Sequence, residues 1–180
     1  MNSETAILVE DITTRVQRAI RVGDYPAIVG LHGERTLILS DYDYLTNWVT
    51  SLDFEIRAAA KAQVNTTHRW VFAVAQVWHD DGDTIQARPL FTGPLQPGET
   101  ETIHWMSCDA DDGIDYGRVQ FARRPDGEPV FDDAEYFACP MDAGNRLPGA
   151  AMHRLLTAGI PDLATAIQQR PRMAAINNPG

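Results

Sequence analysis

A chain of 180 residues and 20.0 kDa has room for one domain of ordinary size or two small ones, and composition does not choose between them. With 44% hydrophobic and 22% charged residues it reads as neither a disordered nor a membrane-spanning chain, because its longest apolar run, Val71 to Val77, is short and broken by Gln76. The acidic balance, a net charge of −10, disfavours non-specific attraction to nucleic acid or anionic lipid, and two cysteines, Cys108 and Cys139, are far too few for a disulfide scaffold.

Met1-Asn2-Ser3-Glu4 shows no basic stretch ahead of an apolar segment, so a cytoplasmic protein is expected. Ser3 offers an N-cap, and Ala6, Ile7, Ile12, Val16, Ala19 and Ile20 recur near helical spacing until Gly23, predicting a helix over about 4–22. Its other side carries Arg15, Arg18 and Arg21, a spacing that also suits a solvated face. Pro26 to Leu31 and Arg35 to Leu39 are β-prone runs joined by His32-Gly33-Glu34, a small hairpin. Ser40-Asp41-Tyr42-Asp43 has the form of a capping box with Asp in place of Glu. Leu45, Trp48, Val49, Leu52, Ile56 and Ala59 then fall on one face of a helix ending near Ala62.

The order Ala19-Ile20, Pro26 to Val29, then Gly33 to Tyr44 resembles the N-terminal domain of the prevent-host-death (Phd/YefM) antitoxin family, over about residues 5–60. In that family a helix leads through a Pro-initiated hairpin into an apolar strand, and Ser-x-x-Glu/Asp-Tyr opens the next helix. The resemblance implies a homodimeric module that binds operator DNA, and a following region that engages a toxin. Arg15, Arg18, Arg21 and Arg35 are then the candidates for phosphate contacts. The chain departs from the pattern in having no opening strand, and in a following region of over a hundred residues that reads as a folded sheet.

Gln63 to Thr67 is a polar connection and a candidate boundary, giving an N-terminal module 1–62, a sheet region 63–170 and a frayed tail 171–180. The alternative is a single domain in which all elements share one sheet, resembling the nuclear-transport-factor-2-like fold, whose sheet commonly encloses a small-molecule pocket. From His68 to Ala138 four turn signals mark a five-stranded antiparallel meander. Residues 68–79 are apolar on both sides. Asp81-Gly82 predicts a two-residue turn that sets Trp78 beside Ile85 and Phe72 beside Phe91. Pairing Asp109 with Asp115 sets Ile103 against Phe121, Trp105 against Val119 and Ser107 against Gly117. Trp78, Ile85, Ile103, Trp105, Val119 and Phe121 then form one apolar face, and His104, Arg118 and Tyr116 lie on a more polar one. Gly93 to Gly98 is a turn-rich loop, and Asp132-Asp133 mark a bulge or bend. After Pro140, Met152, Leu155 and Leu156 predict a short helix stopped by Gly159, and Pro161 opens another half-turn pattern. The fold class is therefore α+β: helix, β-hairpin, helix, five-stranded meander and short C-terminal helices.

Chemical signatures are few. Counted from Asp109, the Asp109 to Asp115 loop puts Gly113 at the fifth and Gln120 at the twelfth calcium-loop position, so the EF-hand chemistry fails. His104 and Cys108 stand four apart on one strand, roughly 13 Å, beyond the reach of a catalytic dyad. Cys108 and Cys139 fall on strands separated by a third, roughly 9 to 10 Å apart and too far for a disulfide. No nucleophile, metal or phosphate-binding motif is present, and no cofactor is expected. The leading expectation is a non-catalytic, antitoxin-like regulatory protein that meets a protein partner on the polar sheet face and has no membrane partner. The alternatives are a small-molecule-binding protein or small enzyme, with Trp70, Trp78 and Trp105 candidates for its pocket, and an acidic immunity or chaperone-type protein.

Overall fold

The computed structural model describes residues 1–80, 85–137 and 147–157. In chain order its elements are α1 (Ser3–Arg21), β1 (Ala27–His32), β2 (Thr36–Asp41), α2 (Trp48–Val64), β3 (Arg69–Asp80), β4 (Ile85–Arg88), a 3-10 turn at Leu90–Thr92, β5 (Glu99–Asp109), β6 (Gly113–Arg123), β7 (Pro129–Phe131), β8 (Glu135–Phe137) and α3 (Ala150–Thr157). All the strands are antiparallel, and the class is α+β. Cys139, the Asp81-Gly82 turn, Gly159, the Pro161 pattern and the tail lie outside the described residues.

β3 is the centre of one sheet of order β2-β1-β3-β5-β6-β7, with β4 also on β3 and β8 also on β6. Strand alternation sends Trp70, Phe72 and Val74 to one side of β3 and Val71, Ala73 and Ala75 to the other, and all six are buried. Each side therefore needs a cover. α1 supplies one through Leu8, Val9, Ile12, Val16 and Ile20, packed with Val71, Ala73, Ile103, Trp105, Val119 and Phe121. α2 and α3 supply the other through Phe54, Ala58, Ala59 and Met152, packed with Trp70, Phe72, Met106 and Tyr116. Burying a side chain of this size contributes roughly 1.5–3 kcal/mol.

Two pairings differ from expectation, each by two residues. Asp109 faces Gly113 rather than Asp115, so Ile103 meets Val119, Trp105 meets Gly117 and His104 meets Arg118. The reason is local: the Asp109 carboxylate accepts from the Asp111 and Asp112 amides at 2.9 and 3.4 Å, and Gly113 takes φ of +84°, which tightens the turn. Similarly, Asp80 faces Ile85 and Trp78 faces Ala87. Phe91 falls in the exposed 3-10 turn, and Phe72 pairs on that edge with Val29, because β1 holds the part of the β3 edge that a longer β4 would have used. The run of strands is therefore not a simple meander. Its last strand is split into β7 and β8 on either side of residues 132–134, where the bend was expected.

The helix starts also moved. Asn2, not Ser3, caps α1, and Ile7 is exposed. Ser40 and Asp41 remain in β2, while Asn47 and Thr50 form the capping box of α2, which leaves Trp48 and Val49 exposed rather than on its apolar face.

One polar knot ties the layers. Asp109, 3% exposed, accepts from Arg69 across the strand pair, from Thr5 at 2.9 Å and from Asn2 at 3.1 Å, and Arg69 also reaches Glu4 at 2.7 Å. Burial pushes the carboxyl pKa up, but the Asp111 amide and the Arg69, Thr5 and Asn2 hydrogen bonds outweigh it and hold the group well below the usual range. Beyond the knot, the Trp105 indole lies across Gly117, where an added Cβ would overlap the ring and crowd the Glu135 carbonyl at 2.6 Å.

Gly117→Ala should cost about 1–3 kcal/mol by urea denaturation, since a ring packed this closely has no room to retreat. Asp109→Ala leaves Arg69 buried and short of its main partner, with an expected loss of about 3 kcal/mol. Because the folded pKa is depressed, the wild-type advantage is full above the ordinary aspartate value of 3.8 and shrinks as pH falls below it; thermal melts from pH 7 to 2 for both chains check this.

Candidate ligand-binding cleft

The loop before α2 is locked by its own polar groups. Asn47 Oδ1 accepts from the Val49 and Thr50 amides at 2.9 and 3.1 Å, and Thr50 Oγ1 donates to the Asp43 carbonyl at 2.9 Å. Ser51 Oγ donates to the Tyr44 carbonyl at 2.6 Å. This turns Tyr44 and Leu45 inward and leaves Tyr42 and Trp48 outside, 66% and 74% exposed.

Below Tyr44 lies Glu55, buried in the face of α2 that packs on the sheet. It accepts the Tyr44 hydroxyl at 2.7 Å and the Met152 amide at 2.9 Å, and the Gly149 and Ala151 amides also point to it. Glu55 therefore caps the first turn of α3 from another helix, where the backbone N–H groups favour a negative charge. Burial still raises its pKa above the ordinary value, although Tyr44 and the α3 amides oppose the rise. The Tyr44 hydroxyl is raised well above its own, by burial first and then by the neighbouring carboxylate.

Between the start of α2, the start of α3 and the sheet is an open cleft of about 790 Å³. Leu45, Trp48, Leu52, Leu147 and Pro148 give it an apolar lining, to which Asn47, Ser51 and Arg154 add polar groups and Gln76, Ala87 and Pro89 contribute from β3, β4 and the residue after β4. Gln76 Oε1 is buried without a hydrogen-bond partner among the described residues. It is the acceptor that the described side chains leave unsatisfied at this site, because Tyr44, Asn47 and Ser51 are committed to the fold.

The cleft was not among the sites expected. Trp70 is buried against His153, with ring centroids 6.3 Å apart, and Trp105 is buried against Tyr136 at 5.2 Å. Trp78 sits on the side opposite Trp105, with its ring 5.0 Å from His104. The face expected to be polar is covered instead: His104 is wholly buried, Tyr116 is buried, and Arg118 pairs with Glu135 at 2.8 Å at the edge. Arg15, Arg18 and Arg21 are exposed near the end of α1, where Arg15 pairs with Asp11 at 3.1 Å and Arg21 lies 5.2 Å over the Phe131 ring. Arg35 is at the hairpin turn, by the end of the sheet that receives the first turn of α1. The helix places Arg18 and Arg21 roughly 20 to 24 Å from that turn, so the four do not form one patch.

Burial drives the His104 imidazole down to about 3, and burial followed by the nearby Asp109 pushes the Cys108 thiol up to about 11. Among the described residues no group of three or more His, Cys, Asp or Glu is placed to hold a metal ion, and no helix is long and apolar enough to cross a membrane. No family model, curated protein or solved structure matches the chain.

Two sequence signals pointed to the cleft. Glu55 stands three residues after Leu52 and four before Ala59, so an acid was placed on the apolar side of α2. Gln76 interrupts the apolar run of β3. Both are polar residues at core positions, which are kept only with a partner or a use.

Since burial raises the Glu55 pKa in the fold, its favourable contribution is complete below the ordinary glutamate value of 4.5 and is lost as pH rises through the raised one. Glu55→Gln should therefore match the wild type near pH 4 and be the more stable chain at pH 8; denaturant midpoints at the two pH values test the crossing.

Proposed function

We propose that this protein is a non-catalytic binding domain, and that its cleft takes a small, mainly apolar molecule carrying a hydrogen-bond donor. The observation that carries the reading is an apolar-walled cleft lined in part by Gln76, whose buried Oε1 has no hydrogen-bond partner among the described residues. About 790 Å³ lies within the roughly 300–1,000 Å³ of ordinary ligand sites, where a few polar groups fix orientation. Leaving such an acceptor unmade costs about 1–3 kcal/mol, and a ligand N–H or O–H would recover it. Exposed Trp48 at the mouth supplies the large flat contact that small-molecule and peptide sites share. An operator-binding role is the weaker reading, since the four arginines divide between the two ends of α1 and the net charge is −10.

The test is a two-dimensional NMR titration with small aromatic and aliphatic fragments, each run beside an analogue whose donor is methylated. Donor-bearing fragments should shift the Trp48 indole and the Leu52 and Ala151 amides, and Trp48→Ala should weaken them about tenfold. Gln76→Leu should lower affinity by a similar factor while leaving the melting temperature unchanged or higher, because it removes a buried unpaired oxygen. Equal binding of the methylated analogues, or shifts confined to other surfaces, would show the reading to be wrong.

A further inference from the structure

The two borders of the sheet are built differently. At one, β7 and β8 are three residues each, interrupted by residues 132–134, opened by Pro129 and carrying Glu135, all features that block further pairing. At the other, β2 is six residues long, Thr36-Leu37-Ile38-Leu39-Ser40-Asp41, with three consecutive apolar residues and neither proline nor lysine. One edge of β2 pairs with β1; among the described residues nothing pairs with the other. Beside it runs a groove of about 450 Å³ lined by Ile38, Leu39, Phe54, Arg57, Ala60 and Lys61.

We propose that this edge pairs with the same edge of a second copy, joining two sheets into one across a two-fold axis at Ile38. The register follows from the strand. In an antiparallel pair, opposed residues are either both hydrogen-bonded or both not, so a strand meeting its own copy must place the axis at a residue, not between two. With the axis at Ile38, Leu37 opposes Leu39 of the second copy, Thr36 opposes Ser40, and Arg35 opposes Asp41. By symmetry each pair occurs twice. An axis at Leu39 would set Leu37 against Asp41, and one at Leu37 would set Leu39 against Arg35. Ile38 alone matches apolar with apolar and cation with anion.

The charges are suitably placed. Arg35 is exposed at the entry to the strand, and among the described residues it holds no ion-pair partner. Its position is fixed through the backbone, since the Asn65 side chain donates to the Arg35 carbonyl at 2.8 Å and the Glu34 amide donates to the Asn65 carbonyl at 3.0 Å. Asp41 accepts Arg57 at 2.6 Å on the α2 side of the sheet, the side shared by Leu37 and Leu39. A second guanidinium, from the opposing Arg35, completes that carboxylate while the leucine pairs close the two grooves.

Sedimentation equilibrium of the full chain tests this. The wild type should be a dimer at micromolar concentration. Arg35→Glu sets two like-charged pairs across the seam without touching the core, and should raise the dimer dissociation constant about tenfold. Arg15→Glu, at the far end of α1, should leave it unchanged. A chain that is monomeric at every concentration up to the millimolar range, or a dimer equally strong in Arg35→Glu, overturns the proposal.

Discussion

β3 is buried on both faces and hydrogen-bonded along both edges, and few of its neighbours had another option. A strand carrying Trp70, Phe72 and Val74 on one side and Val71, Ala73 and Ala75 on the other cannot leave either side to water. It requires a helix layer above and another below. The short strands sort themselves along its edges: β1 and β4 share one edge end to end, and β5 runs the length of the other. With both faces of β3 covered, the open concave surfaces lie toward the helix ends and the outer parts of the sheet.

Two buried acids hold the covering helices in place, by different means. Asp109 ties the first turn of α1 through Thr5, Asn2 and Arg69, and the Asp111 amide together with those donors holds its pKa low against burial. Glu55 ties the first turn of α3 through backbone amides, with no cation among the partners that set its pKa, and burial wins. The contrast follows from the donors available: at Glu55 neutral hydrogen bonds offset desolvation only in part, whereas at Asp109 a backbone amide, a guanidinium and two neutral side chains together outweigh it.

What the sequence made legible was parity, not register. Trp70, Phe72 and Val74 alternate with Val71, Ala73 and Ala75 as read, and Ile103, Trp105, Val119 and Phe121 share a face as read, although both hairpins are shifted by two residues. A two-residue slip preserves faces, so the face assignments within β5 and β6 survived a wrong count at the turn. The turn itself was decided by the Asp109 side chain, which alternation cannot see. Trp78 was joined to the wrong face because it was grouped with Trp105 rather than counted along β3. The start of α2 was misplaced because Ser40 competes between two roles, and pairing with β1 outweighs a cap that Asn47 can supply seven residues later. The site was nearly invisible, since Glu55 and Gln76 show only as polar letters in apolar rows, and the helix end that gives Glu55 its meaning is almost a hundred residues away in the chain.

α2 is a wall common to the cleft and to the groove beside β2. Trp48, Ser51, Leu52 and Glu55 face the cleft, while Phe54, Arg57, Ala60 and Lys61 face the groove beside β2. Phe54 belongs to both sides of the argument: it lines the groove, and its ring packs 6.0 Å from those of Tyr44 and Phe72. Tyr44 in turn holds Glu55. The cleft and the groove beside the edge strand thus differ in their linings, yet they share one helix as a wall.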